Sequence, residues 1–395
     1  MQIIDIYDMI KQKAERSVND MNVITQLKGP DRVRCRPAVI FGSTGTDAVL
    51  RTFEMLLDIM TSECQSGFSN KLVITQHLDH TISFQDFGRG LFLGNDDNRI
   101  WQNLFCEIFP SSPYSHIEYA DYSLLFSDPA EQEPAQRECF ELCAVQYVSE
   151  YMNVRVQRDS FQSDLHFEKG FNIGGLTKLP FVGDTYTHIA YKPDADIFSD
   201  ISLPTDMLMQ MAQAKAICIH GARIVFRKET VSGFSVCEFC YPNGISDYLE
   251  QDKIPTHSTP VYTASLQAEG QERYNLPKYA AKLQVGLYFT AGSGKLECFH
   301  NHRKLTGGTH MDALAETIRQ SLEWTLARPV SKKQVLSCVR LVAASDASRT
   351  CWVNGTRTSI ENTLIKDMAQ DILDDRFRMY LKENVSQITS ILHSH

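Results

Sequence analysis

The segment Gln85-Asp86-Phe87-Gly88-Arg89-Gly90 constrains this chain more than any other. Just before it, Lys71–Gln76 and Thr81–Phe84 read as two strands around a turn at Asp79-His80. A carboxylate followed by glycines two and four residues on makes a turn whose backbone can approach closely whatever lies against it. Asp86 can there accept a hydrogen bond from an amino group. The plainer alternative is a tight turn kept for the fold, with Asp86 capping it. The residues alone leave both open.

Helical spacing recurs at Asp47–Ser62, with Asp47 as N-cap, and at Cys139–Tyr151. Ile3, Ile6, Met9 and Ile10 form an apolar stripe near the start. Residues 95–134 read as irregular, with prolines at 110, 113, 129 and 134. Strands are expected at Asn153–Arg158, Thr185–Tyr191, Arg223–Phe226, Lys282–Phe289 and Leu296–His300. Helices are expected at Met311–Leu326 and Asn362–Leu381. Both halves therefore read as α+β, with a boundary near Phe239–Tyr241.

Composition excludes some classes. The 395 residues contain no apolar run long enough for a membrane span, and Met1–Met21 mixes charges in a way foreign to a signal peptide. The eleven scattered cysteines are expected as reduced thiols in a cytoplasm. Residues 241–395 carry 18 Lys and Arg against 16 Asp and Glu, and the first 240 carry 21 against 32. An acidic first part argues against broad nucleic-acid binding there.

Four motifs then occur in order. They are Leu27-Lys28-Gly29-Pro30-Asp31-Arg32-Val33-Arg34 with Arg36-Pro37 and Gly42, the turn at Asp86, Gly307-Gly308-Thr309-His310 opening a helix, and Tyr380-Leu381-Lys382-Glu383-Asn384. Together they resemble the ATPase-plus-transducer portion of DNA gyrase B and its type IIA topoisomerase relatives. The resemblance implies a GHKL (Bergerat) α/β sandwich followed by a ribosomal-protein-S5-like transducer. It implies an N-terminal arm at 1–26, a GHKL ATPase-like domain at 27–240 and a transducer at 241–395. The family would continue into a metal-binding TOPRIM domain, of which no Glu-Gly-Asp-Ser-type segment is present. No DNA cleavage is therefore expected from this chain.

ATP hydrolysis of this kind needs an adenine pocket, a general base, an oxygen ligand for Mg²⁺, a glycine-rich phosphate lid and a cation near the γ-phosphate. By the resemblance, Asp86, Gly88, Gly90 and Thr187 keep the adenine part. Met55 falls on the general-base glutamate and Ile59 on the Mg²⁺-binding asparagine. The two sit i, i+4 on one helix face, and neither a thioether nor an alkyl group serves a hard cation. The lid falls on Ala135-Gln136-Arg137-Glu138-Cys139-Phe140-Glu141, which has no glycine to build an anion nest. The switch lysine becomes Arg357. Glu54 and Asp58, one residue earlier than Met55 and Ile59, are the alternative base and Mg²⁺ ligand, but that needs a one-residue slip. Gly67, Thr75, His77, Asp79 and Gln85 match the family without one.

Smaller signals remain. Cys237 and Cys240, with Cys298, His300 and His302, have metal-like spacings, but no metal is expected. Arg303-Lys304 reads as a small solvated basic loop, and His393 and His395 as tail. The expected function is that of a gyrase B-like pseudo-ATPase acting by dimerisation or partner binding, with no cofactor. Ile3, Ile6, Met9 and Ile10 would then face a second copy or a gyrase or topoisomerase IV subunit. DNA contact is a weaker expectation, and membrane contact is not expected. The alternatives are a purine sensor without catalysis, or an ATP/Mg-dependent topoisomerase subunit fragment using Glu54 and Asp58.

Overall fold

The computed structural model describes residues 29–94, 100–108, 125–126, 140–254, 257–273, 276–292, 294–353 and 358–393. Two short helices, α1 (Asp31–Arg34) and α2 (Pro37–Phe41), lead into the long helix α3 (Thr46–Gln65). Val49, Phe53, Leu56, Leu57 and Met60 recur at helical spacing and are all buried. Asp47 lies in the first turn, where its charge favours the helix N-terminus, but the capping position is Gly45. Gly67, in the left-handed conformation at φ 77°, follows the last turn. Buried hydroxyls along α3 bond to backbone of the preceding turn, as Thr61 Oγ1 does to the Leu57 carbonyl at 2.7 Å. A helix buried nearly all round can therefore carry polar residues.

Strands β1 (Lys71–Gln76) and β2 (Ile82–Asp86) follow, with His80 left-handed at the turn between them. Two helices, α4 (Ile100–Phe105) and α5 (Phe140–Tyr147), come before β3 (Ser149–Arg158) and β4 (Phe161–Glu168). The first half closes with β5 (Phe171–Asn172), β6 (Thr177–Pro180), β7 (Tyr186–Pro193), α6 (Thr205–Cys218), β8 (Arg223–Thr230) and β9 (Gly233–Cys240). These nine strands form one sheet in the order β5-β4-β3-β7-β2-β1-β8-β9, with β6 also on β4. All neighbours are antiparallel except β1 and β8. Helices α3, α5 and α6 lie on the sheet, and along β4 and β7 buried residues alternate with more exposed ones, the signature of a sheet with one covered face.

The second half opens with α7 (Ile245–Asp252). A five-stranded sheet follows, built from β10 (Tyr262–Gly270), β11 (Tyr279–Phe289), β12 (Lys295–His300), β13 (Arg303–Leu305) and, after the two-residue β14 (Gly307–Gly308), β15 (Val339–Ala347). Its order is β10-β11-β15-β12-β13, with only β12 and β15 parallel. Helices α8 (Thr309–Leu326) and α9 (Lys332–Cys338) precede β15. After β16 (Ser359–Ile360), which pairs with β14, come α10 (Thr363–Asp371), α11 (Asp375–Glu383) and α12 (Val385–His393).

Period-two alternation sends neighbouring residues of β15 to opposite faces. Leu341 and Ala343 join the second core, under α8 and α10. Val342 and Ala344, with Tyr288 and Phe299, join the core of the first half. Around β15 the second sheet is thus covered on both faces, while the edge strand β10 keeps alternate residues exposed, and α7 lies close on β11. A Cβ at Gly286 would come within 2.5 Å of Ile245 and 2.7 Å of Leu249.

Several expectations shift. Asn362–Leu381 is two helices rather than one, because Asp374 caps a new start by accepting from the Arg376 N–H at 2.9 Å. The helix expected at Cys139–Tyr151 ends at Tyr147, and the chain turns directly into β3. Ile100–Phe105 is helical inside the stretch read as irregular, with Trp101 and Leu104 buried.

Candidate functional site

Asp86 ends β2 opposite Thr187 on β7. Both side chains are fully buried. One Asp86 carboxylate oxygen, Oδ2, accepts the Gly88 N–H at 3.0 Å, and the other, Oδ1, is buried with no hydrogen-bond partner among the described residues. Burial, reinforced by the nearby charge of Glu63, raises the Asp86 carboxyl to about 6 against the pull of the Gly88 N–H. Thr187 Oγ1 accepts the Leu91 N–H at 2.8 Å, and Thr185 Oγ1 donates to the Gly88 carbonyl at 2.7 Å. Gly90 is left-handed at φ 79°, and a Cβ there would stand 3.0 Å from the Gln157 carbonyl. Only glycine holds that position without strain.

Sequence reasoning missed Glu63. It sits in the last turn of α3, fully buried, and accepts from Arg89 three times: backbone N–H at 2.8 Å, Nε at 3.1 Å and Nη2 at 2.8 Å. The Arg89 guanidinium also stacks over the Phe68 ring at 3.6 Å. A Cβ at Gly88 would meet Glu63 Oε2 at 2.6 Å, so this glycine is required by contact. The signal available was a single arginine between two glycines, but its partner lies 26 residues earlier on another element.

Met55 and Ile59 are 4% and 0% exposed and belong to the first core, together with Met60. Glu54 and Asp58 take the adjacent face of α3. Glu54 pairs with Arg51 and with Arg303 Nε at 3.3 Å. Asp58 pairs with Arg303 and stands 2.6 Å from Lys215 Nζ. Burial penalises the Asp58 charge, yet Arg303 and Lys215 hold the carboxyl well below its usual range. Arg303 and Lys304 are therefore not a solvated loop, because Lys304 pairs with the buried Glu297 at 2.6 Å.

Other expectations fall elsewhere. Ile3, Ile6, Met9, Ile10, Arg357, His395 and the 135–139 part of the lid stretch lie outside the described residues. Cys237 and Cys240 are three apart on β9, so the strand sends them to opposite faces. His300 bonds Ser345 and Thr350, each at 2.8 Å, and burial lowers it to about 3. Among the described residues no group of three or more His, Cys, Asp or Glu could hold a metal ion.

No family model matches the chain. The DNA gyrase B protein of Synechocystis is 24% identical over 394 residues, covering 93% of this chain and 34% of that protein. The DNA topoisomerase 4 B protein of Rickettsia bellii is 22% identical, covering 98% of this chain and 59% of that protein. The chain is a relative of the gyrase B and topoisomerase IV B proteins. It spans between about a third and three-fifths of the length of these relatives. Among solved structures, the gyrase B protein of Myxococcus xanthus superposes with a TM-score of 0.69 at 16% identity, covering 93% of this chain and 99% of that one. The 43K ATPase domain of Thermus thermophilus gyrase B superposes with a TM-score of 0.65 at 18% identity, covering 93% and 94%. The fold is that of the GHKL gyrase B ATPase region, α+β in both halves. Among the described residues no helix is long and apolar enough to cross a membrane.

Proposed function

We propose that this gyrase B-like chain has given up ATP hydrolysis and works by holding a partner, either a second copy of itself or a gyrase or topoisomerase IV subunit. The observation that carries the reading is the burial of Met55 and Ile59 in the first core. By the resemblance these are the base and Mg²⁺ positions, and neither side chain can accept a proton or ligate Mg²⁺. Glu54 and Asp58, the carboxylates on α3's middle turns, already neutralise Arg303 and Lys215. With no nucleotide step, association would rest on buried apolar area.

The test is calorimetry with a non-hydrolysable ATP analogue, with and without Mg²⁺, alongside mass measurement by light scattering. The expected outcome is no heat up to millimolar nucleotide, and a mass that nucleotide leaves unchanged. Mg²⁺-dependent binding at micromolar concentration would overturn the reading. A second reading, a purine sensor, is favoured by one observation: the buried Asp86 Oδ1, which has no partner among the described residues, beside Thr187. Heat from adenine or adenosine that is indifferent to Mg²⁺ would select it.

A further inference from the structure

The turn between β12 and β13 projects from the second sheet towards α3. Its two residues, Asn301 and His302, are both left-handed, at φ 47° and 62°. Asn301 is tied to β15 by three bonds: its N–H to the Ser345 carbonyl at 2.8 Å, its Nδ2 to the Ala347 carbonyl at 3.0 Å, and its Oδ1 from the Ala347 N–H at 2.9 Å. His302 joins the two halves, with Nδ1 2.8 Å from Gln65 Nε2 at the end of α3 and Nε2 3.2 Å from Asp346 Oδ1 on β15. Arg303 comes next, and its guanidinium is shared between Asp58 and Glu54. The other oxygen of Asp58 meets Lys215 of α6, whose side chain is 3% exposed.

Three elements from two halves thus converge on one carboxylate. We propose that Asp58 is an interdomain clamp, closed by Arg303 and Lys215, that holds the second sheet in one orientation against α3 without any nucleotide. The geometry favours this over a pair of surface charges. Exposed ion pairs contribute little because water and salt screen them. Here Asp58 and Lys215 are desolvated, so each charge needs the others in place, and the anchored turn fixes where Arg303 can reach. The clamp grips α3 on the face next to Met55 and Ile59. The helix that by the resemblance would carry the base and the Mg²⁺ ligand is instead held by charges of the chain itself.

Hydrogen exchange by mass spectrometry on the full chain tests the clamp. Asp58→Asn would strand Lys215 in the interior and risks unfolding, so the probe is Arg303→Gln, which leaves Asp58 and Lys215 paired. Arg303→Gln should speed exchange about tenfold in both 54–65 and 299–305 while 71–86 stays as in the wild type. Arg303→Lys keeps the charge but cannot span both Glu54 and Asp58, so it should fall between the wild type and Arg303→Gln in those segments. Unchanged exchange in both segments for Arg303→Gln would overturn the proposal. So would a rise confined to 299–305, which would make Arg303 a local hairpin residue, or a uniform rise across the chain. The test involves no nucleotide, so its result stands apart from the reading of the ATP site.

Discussion

At the turn after β2, polar groups are tied one to another: Asp86 to Gly88, Thr187 to Leu91, Thr185 to Gly88, and Glu63 three times to Arg89. One to two turns earlier on α3, Met55, Ile59 and Met60 offer no polar group and are folded into the core. The two regions adjoin, yet one is wired and the other filled. The wired part is what the sheet and α3 themselves need in order to meet. Without Glu63, the backbone N–H and guanidinium of Arg89 would lose that acceptor, and without Gly88 the helix could not approach. The filled part answers to packing alone, where volume and apolarity suffice. On the proposed reading, chemistry that doubles as structure has persisted, and chemistry that served only a ligand has been replaced by core.

The largest expected effect comes from reversing the filled half. Met55→Glu places a carboxylate at a site 4% exposed, within the first core. It should cost about 3–5 kcal/mol in urea unfolding at neutral pH. A cost below about 1 kcal/mol would mean that the position reaches water, and the contrast between filled and wired would break.

Glu63→Gln probes the wired half. It keeps the shape but removes the charge and replaces one of the two acceptor oxygens facing Arg89 with an N–H donor, for an expected loss of about 2 kcal/mol by the same measurement. Loss of less than about 0.5 kcal/mol would mean that the Arg89 contacts are decorative and that the turn stands on its glycines alone.

The last effect is a pH signature, absent in acid and present only as pH rises. The Asp86 carboxyl, at about 6 in the fold against 3.8 ordinarily, holds its proton more tightly when folded. Its contribution to stability is therefore greatest below about pH 4, declines as pH rises towards 6, and is constant above. Asp86→Asn cannot ionise, so it should stabilise the chain by about 3 kcal/mol at pH 7.5 and by less than about 1 kcal/mol at pH 4. Urea midpoints at the two pH values decide it. A difference independent of pH would mean that Asp86 is not titrating as a buried carboxyl.

Much of the fold was legible from residue pattern. The β1 bounds agree with the structure because the apolar run Leu72-Val73-Ile74 is bounded by polar residues on both sides, and α8 begins at Thr309, directly after the glycine pair that forms β14. Helix α6 was not found. Its Met-Ala-Gln-Ala-Lys-Ala run is apolar on more than one side, since it touches both the first sheet and the hairpin of the second. Lys215 inside that run reads as an ordinary surface charge until its partner, 157 positions earlier, comes into view. The same distance problem hid Glu63–Arg89 and Asp58–Arg303. Local periodicity reports which face of an element is buried, and is silent on which two charges will meet across the fold.

The doubly covered second sheet has a consequence for how the chain is born. Helix α7 is complete by Asp252, but β15, which packs against it and carries Val342 and Ala344 of the same core, lies about ninety positions further on. A ribosome adding roughly 5–20 residues each second leaves that apolar surface bare for several seconds. During that interval the nascent first half is the form most open to chaperones, and most exposed to mispairing with its neighbours on the same message.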